Sequence, residues 1–227
     1  MNTKAYIPAK EHIHSTSDVD GVNTSFGYWG ALSYPMRRRL DMAVGEMRRS
    51  GAYESILDAG YGCGIMLPDL YRRLAPGGKL HGVDVHGEHG GVRARMLPAE
   101  GMDTKRVELM QASLDDLPFP DNSFDLVVSI SVLEHIPPAI LKGCLSEIRR
   151  VAKPGADIIL GFPTYSPCIK LLSLLQGTDL RANHPSTHDD IFAAIAAASL
   201  KIKIQSGFPA FWGPLTMHYN VRVEPAQ

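Results

Sequence analysis

At 227 residues the chain exceeds a common single domain and is short for two, so one domain with additions is expected. Hydrophobic residues at 44% and charged ones at 21% exclude a disordered, collagenous or coiled-coil chain. With 23 basic against 24 acidic residues, a net charge of -1, there is no positive field to hold a nucleic-acid backbone. Residues 1–50 read as an N-terminal lid and amphipathic helix. The polar opening concentrates Phe26, Tyr28 and Trp29, and from about Ser33 to Arg49 the apolar residues Leu40, Val44 and Met47 recur at helical spacing, with Gly51 as the stop.

The remainder, 51–227, alternates. Ser55 to Ala59 is a short apolar strand that ends in Gly60-Tyr-Gly-Cys-Gly64, and Met66, Leu67, Leu70 and Leu74 then line one helical face. Lys79 to Val85 is a second strand, Val92 to about Ala99 a weaker helix, and Val107 to Gln111 a third strand. Phe124 to Ser131 is apolar almost throughout, as a strand buried on both faces should be, and follows a Pro-Asp-Asn-Ser turn. Ala139 to Val151 is helical and stops at Lys153-Pro154-Gly155; Ala156 to Phe162 is a fifth strand. Residues 164–187 form an insertion expected to cover the substrate. Thr187 with Asp190 should cap the Ala-rich helix that follows, and Lys201 to Ser206 with Met217 to Val223 should close the chain as an antiparallel hairpin. Strands alternating with helices predict an α/β fold around a mostly parallel sheet with helices on both faces.

The apolar runs fall far short of the roughly 20 residues of a membrane span, and the N-terminus shows no apolar leader. Cys63, Cys144 and Cys168 are too few and too scattered for a disulfide framework or a zinc site. A cytoplasmic setting is expected.

A glycine turn between a strand and a helix brings backbone N–H groups close to an anionic ligand. Ile65 stands where a dinucleotide fingerprint needs a small residue, and no Lys-Ser or Lys-Thr pair follows as in a phosphate-binding P-loop. Asp84 ends the second strand twenty residues past Gly64, where a carboxylate can accept both hydroxyls of a ribose. Together they read as an adenosine site.

The runs ILDAGYGCG, VDV at residues 83–85, LPFPDNSFDLVVSISVLEH and EIRRVAKPG, in this order and spacing, resemble the class I S-adenosylmethionine-dependent methyltransferases, in particular their small-molecule (type 11-like) branch. The resemblance covers about Ser55 to Pro163. It implies a Rossmann-like sheet of seven strands, parallel except for one strand of the C-terminal hairpin, with S-adenosyl-L-methionine over the carboxyl ends of the first four. Carried onto this sequence, it implies that Gly60, Gly62 and Gly64 line the methionine part of the cofactor and that Asp58 supports the loop. Asp84 would bind the ribose, Val85 would pack on the adenine, and the backbone carbonyl of Ser129 would approach the ammonium. Where the family commonly has an acidic residue after the third strand, this chain offers Ser113 followed by Leu114, with Asp115 or Asp116 as substitutes.

Methyl transfer needs a base only if the acceptor arrives protonated. Glu134 and His135, just beyond the fourth strand, are the first candidates, with His135 as base or as a support for the loop. His184 and His188 flank a Pro-Ser-Thr turn in the insertion and are further catalytic candidates. No metal site is expected, because Pro185 prevents a continuous helix from His184 and no third ligand stands out. Tyr28, Trp29, Tyr34, Tyr165, Phe208, Phe211 and Trp212 are candidates for an apolar acceptor wall. The run Arg37-Arg38-Arg39 with Arg48-Arg49 reads as a solvated helix face or a site for an anionic acceptor. The amino-methylating nucleic-acid enzymes carry Asn or Asp, Pro-Pro and an aromatic residue after the fourth strand, whereas this chain has Ser-Ile-Ser-Val. The expected partner is therefore a small-molecule acceptor and not nucleic acid, with a homodimer left open. The competing readings are a non-catalytic S-adenosylmethionine-binding protein and a nicotinamide-dependent oxidoreductase.

Overall fold

The computed structural model describes residues 4–13, 33–48, 52–87, 89–167, 169–170, 184–209 and 215–225. Its centre is β1 (Tyr53–Ala59), flanked in parallel by β2 (Leu74–Asp84) and β4 (Phe124–Ile130). With β3 (Val107–Gln111), β5 (Ala152–Pro163), β6 (Leu200–Phe208) and β7 (His218–Pro225) the seven strands run in the order β3-β2-β1-β4-β5-β7-β6. β7 alone runs opposite to the other six strands. The α/β class, the seven strands and the C-terminal hairpin are as expected.

Period-two alternation along the strands splits the core in two. Leu57, Val127, Ile158 and Leu160 face one side, covered by α4 (Pro138–Val151) through Leu141, Leu145 and Ile148 and by α5 (His188–Ala197) through Ile191 and Ile195. Ile56, Leu80, Leu126, Val128 and Ile159 face the other. That side is covered by α1 (Ser33–Glu46), by α2 (Leu67–Tyr71) and by α3, a helical stretch over 89–99 whose middle, Val92–Met96, is π-helical. Thr187 caps α5 as expected. Its hydroxyl accepts the Asp190 N–H, and the Asp190 carboxylate accepts the Thr187 N–H at 2.8 Å.

Two boundaries differ from the periodicity. The helix after the glycine loop ends at Tyr71, and Leu74 opens β2 opposite Tyr53. Pro76 lacks an N–H and Gly77 sits at φ +81°, so the chain cannot continue as a helix, while Leu74 remains buried in the same core. Strand β5 begins at Ala152, before the Lys-Pro-Gly segment, and the pairing of β4 with β5 shifts register between Phe124 and Leu126 to absorb it.

The N-terminal residues 4–13 lie across α1, α2 and the residue that caps α3. The Ala5 N–H donates to Asp41, the Tyr6 N–H to Asp69, and His12 pairs with Glu100 at 2.6 Å. Residues 14–32, with the expected aromatic part of the lid, and 171–183 of the insertion lie outside the described residues, as do Phe211 and Trp212.

Candidate active site

The sheet order reverses between β1 and β4. The helix after β1 covers one face and the helix after β4 the other, so a crevice opens at the carboxyl ends of these two strands, the place where open α/β sheets bind ligands. The β1–β4 pairing ends at Asp58–Val128, whereas β4–β5 continues to Ile130–Gly161.

The glycine loop closes one wall. Gly60, Gly62 and Gly64 take φ of +91°, +51° and +83°. A Cβ at Gly60 would come within 2.7 Å of one γ-methyl of Val132 and closer to the other, so the turn after β1 is seated on the turn after β4. A Cβ at Gly64 would meet Met96 at 2.9 Å, which packs the loop on α3. At Gly62 nothing lies within 4 Å, and this peptide faces open space. The Tyr61 ring fills the space over Gly82 and is 4% exposed, a packing role.

Asp84 spans the loop and the start of the next segment. Oδ2 accepts the Gly62 N–H and Oδ1 the His86 N–H, both at 2.9 Å. Each carboxylate oxygen retains a second acceptor position, which suits a pair of vicinal hydroxyls. Val85 beside it is 52% exposed, an apolar surface available to a flat ring. Ser113 donates its hydroxyl to Asp115 and is exposed after β3. Leu114 turns its side chain into the core at 5% exposed, so it can offer a ligand only backbone.

Asp58 is 3% exposed, and its Oδ2 has no hydrogen-bond partner among the described residues; through that atom it does not brace the loop. Burial, reinforced by the charge of Asp84, pushes its carboxyl up to about 7. Ser129 is fully buried on β4 and its hydroxyl is likewise unpartnered among the described residues. Two carboxylates in one crevice, one of them buried with an oxygen that has no donor among the described residues, fit a ligand that carries both hydroxyls and positive charge.

The turn after β4 forms the far end. Leu133–His135 is a 3-10 turn that buries Glu134 and leaves His135 exposed. The ligand atoms of Glu134, His135 and His184 all lie within 4.8 Å of one another, so three of the four expected catalytic residues come together. Burial raises the Glu134 carboxyl above its ordinary range, and His135, Arg39 and the Ser131 hydroxyl pull the other way. His188 stands apart. Its Nδ1 accepts the Tyr165 N–H at 3.1 Å and its ring lies beside Tyr219, at the first residue of α5.

Several residues here carried no signal in the sequence. Ser131 adopts φ +58°, and its hydroxyl accepts from Arg39 at 2.5 Å. The Arg39 carbonyl accepts from Asn220, whose Oδ1 pairs with the buried His218. Burial, with Arg39 nearby, pushes His218 down to about 3 and keeps it neutral. The basic run is therefore divided. Arg39 is tied to the site and Arg48 to Asp157 at 2.8 Å, whereas Arg38 is exposed. Tyr34 and Phe208 meet edge to face with ring centroids 5.6 Å apart. Phe208 and Pro163 both register with His218, so this pair stands on the same carboxyl edge of the sheet as the crevice.

Residues 56–155 match the family described as Methyltransferase domain. The chain is 36% identical over 100 residues to sterol 24-C-methyltransferase ERG6B of Gibberella zeae, covering 44% of this chain and 25% of that protein. It is 32% identical over 112 residues to the ubiquinone/menaquinone biosynthesis C-methyltransferase UbiE of Hahella chejuensis, covering 49% of this chain and 43% of that one. It thus spans less than half the length of these curated relatives. In fold it is similar to the geranyl diphosphate C-methyltransferase of Streptomyces coelicolor A3(2), with a TM-score of 0.69 at 12% identity over 98% of this chain and 90% of that one. No helix among the described residues is long and apolar enough to cross a membrane. The crevice, the glycine loop and the family match agree: residues 56–155 match the methyltransferase-domain family, on a seven-stranded sheet whose fold is that of a solved methyltransferase.

Proposed function

We propose that this chain transfers a methyl group from S-adenosylmethionine to a small-molecule acceptor with an apolar body. The observation that carries the proposal is the crevice between β1 and β4, with its glycine loop and its two carboxylates, inside the matched segment. When bound, the cofactor supplies an activated methyl group on a sulfonium. The chain's own residues would bind and orient it: Asp84 would accept the ribose hydroxyls, the peptides of Gly60 to Gly64 would receive the amino-acid part, and Val85 and Ser113 would hold the adenine. Asp58 would face its positive charge, and the Ser129 carbonyl would accept from the ammonium. At the other end Glu134, His135 and His184 meet the polar group of the acceptor, and Tyr34 with Phe208 offers it an apolar wall. One named relative is a sterol methyltransferase and the other a methyltransferase of ubiquinone/menaquinone biosynthesis, and that supports an apolar body.

The test is incubation with methyl-tritiated S-adenosylmethionine and a panel of hydroquinones, phenols, sterols and amino-lipids. Label is expected to pass into an organic-soluble product. Label that stays in the cofactor with every acceptor, while the cofactor binds, would contradict catalysis and favour a binding protein.

The raised carboxyl of Asp58 gives a prediction with a definite sign. Unfolded, the group ionises near 3.8; folded, it holds its proton to about 7. Its contribution to stability is therefore present below 3.8 and is lost as pH rises through 7. Asp58→Asn should make the cofactor-free protein more stable at pH 8 by about 1–3 kcal/mol and leave it nearly unchanged at pH 4. The same variant should bind S-adenosylmethionine at least about tenfold more weakly, a loss of about 1.4 kcal/mol. Urea unfolding at the two pH values and calorimetry measure both. A variant less stable than wild type at pH 8 would show that Asp58 is satisfied in the folded chain.

A further inference from the structure

We propose that Glu134, His135 and His184 form a binding site for a divalent metal ion of the zinc class. Two imidazoles and one carboxylate are a donor set that suits borderline first-row ions, above all zinc, better than magnesium or calcium. The three ligand atoms lie within 4.8 Å of one another. With bonds of about 2.0–2.1 Å, the edges of a tetrahedral site are about 3.3 Å, so closure needs only small side-chain rotations.

A second observation is independent of that proximity. Glu134 is 2% exposed, yet its Oε2 has no hydrogen-bond partner among the described residues. A buried acceptor without a donor costs roughly 1–3 kcal/mol, and a cation on that atom would offset the cost.

The site is also held in advance. The Ser186 N–H donates to the Glu134 carbonyl at 3.2 Å, and the Ser186 hydroxyl donates to the Ile136 carbonyl at 2.5 Å. These bonds tie the strap that carries His184 to the 3-10 turn that carries the other two ligands, although about 50 residues separate the two segments. Pro185 and the Thr187 cap restrict the strap further. The imidazoles of His135 and His184 meet edge to face, with centroids 4.9 Å apart and planes at 76°. Arg39 opposes the ion: it acts on Glu134, and its guanidinium is hydrogen-bonded to Ser131.

Three protein ligands leave one position of a tetrahedral ion open. His135 is exposed, so water or an oxygen of the acceptor can reach the cluster and take that position. The cluster itself does not rest on the methyltransferase reading, and the metal can be measured without turnover.

Untagged full chain, stripped with a chelator, would be dialysed against Zn2+ with a competing indicator, and the bound metal counted per chain. Co2+ would then be added and its visible ligand-field absorption recorded. Wild type and His188→Ala are expected to retain one ion per chain and to show the intense spectrum of four-coordinate Co2+. His184→Ala and His135→Ala should retain none, and Glu134→Gln should bind at least tenfold more weakly. Calorimetry of each variant with S-adenosylhomocysteine separates the outcomes. A wild type that fails to bind S-adenosylhomocysteine but holds the ion would sink the cofactor reading and leave the metal site standing. Wild type without zinc, or His184→Ala with undiminished zinc, would overturn the site.

Discussion

Replacing Gly60 with alanine is expected to destabilise the protein by about 2–5 kcal/mol and to abolish measurable binding of S-adenosylmethionine. Two costs add. A side chain at φ +91° pays a left-handed backbone penalty of about 1–2 kcal/mol, and the new methyl collides with Val132, an overpacking that costs about 1–3 kcal/mol. Relief of the clash separates the turn after β1 from the turn after β4, the two walls of the crevice. Gly62→Ala is the internal comparison, because it shares the left-handed backbone but meets nothing within 4 Å, so only the first cost applies. The double variant Gly60→Ala/Val132→Ala should recover part of the loss. Urea unfolding measures the stabilities, and a Gly60→Ala protein no less stable than Gly62→Ala would refute the contact.

Asp84→Ala should weaken S-adenosylmethionine by about 1–3 kcal/mol, the cost of unpairing hydrogen bonds to a charged acceptor. That range is about 5- to 150-fold in affinity. Part of the loss comes through the protein, since the Asp84 carboxylate also holds the Gly62 and His86 N–H groups. Asp84→Asn separates the two parts. It keeps one oxygen acceptor for the loop and removes the charge, so an intermediate affinity is expected. Calorimetry with S-adenosylhomocysteine reads the series, and an affinity unchanged in Asp84→Ala would place the ribose elsewhere.

The strand core was legible because burial on both faces leaves runs that few other elements produce. Val107–Gln111 matches its expected bounds, and Phe124–Ile130 and the closing hairpin differ by a few residues at most. The helix after the glycine loop was overextended because Leu74 keeps the helical period and is buried, yet it is buried as the first residue of a strand. Periodicity records which residues are buried and not which element buries them. The Gly loop and Asp84 were visible because their spacing is local. Glu134, His135 and His184 were each singled out, but their meeting depends on Ser186 returning to the turn after β4, a contact between segments about 50 residues apart. Pro185 was expected to keep His184 off the helix that follows, and the helix does start only at His188. Arg39 was one of five basic residues with nothing to distinguish it, since its role is set by where α1 packs.

The most direct test of the account is calorimetric titration of the chain with S-adenosylmethionine, S-adenosylhomocysteine and NAD in turn. The crevice predicts saturable one-to-one binding of the first two and none of the third. Tight binding of NAD with no response to S-adenosylmethionine would contradict it.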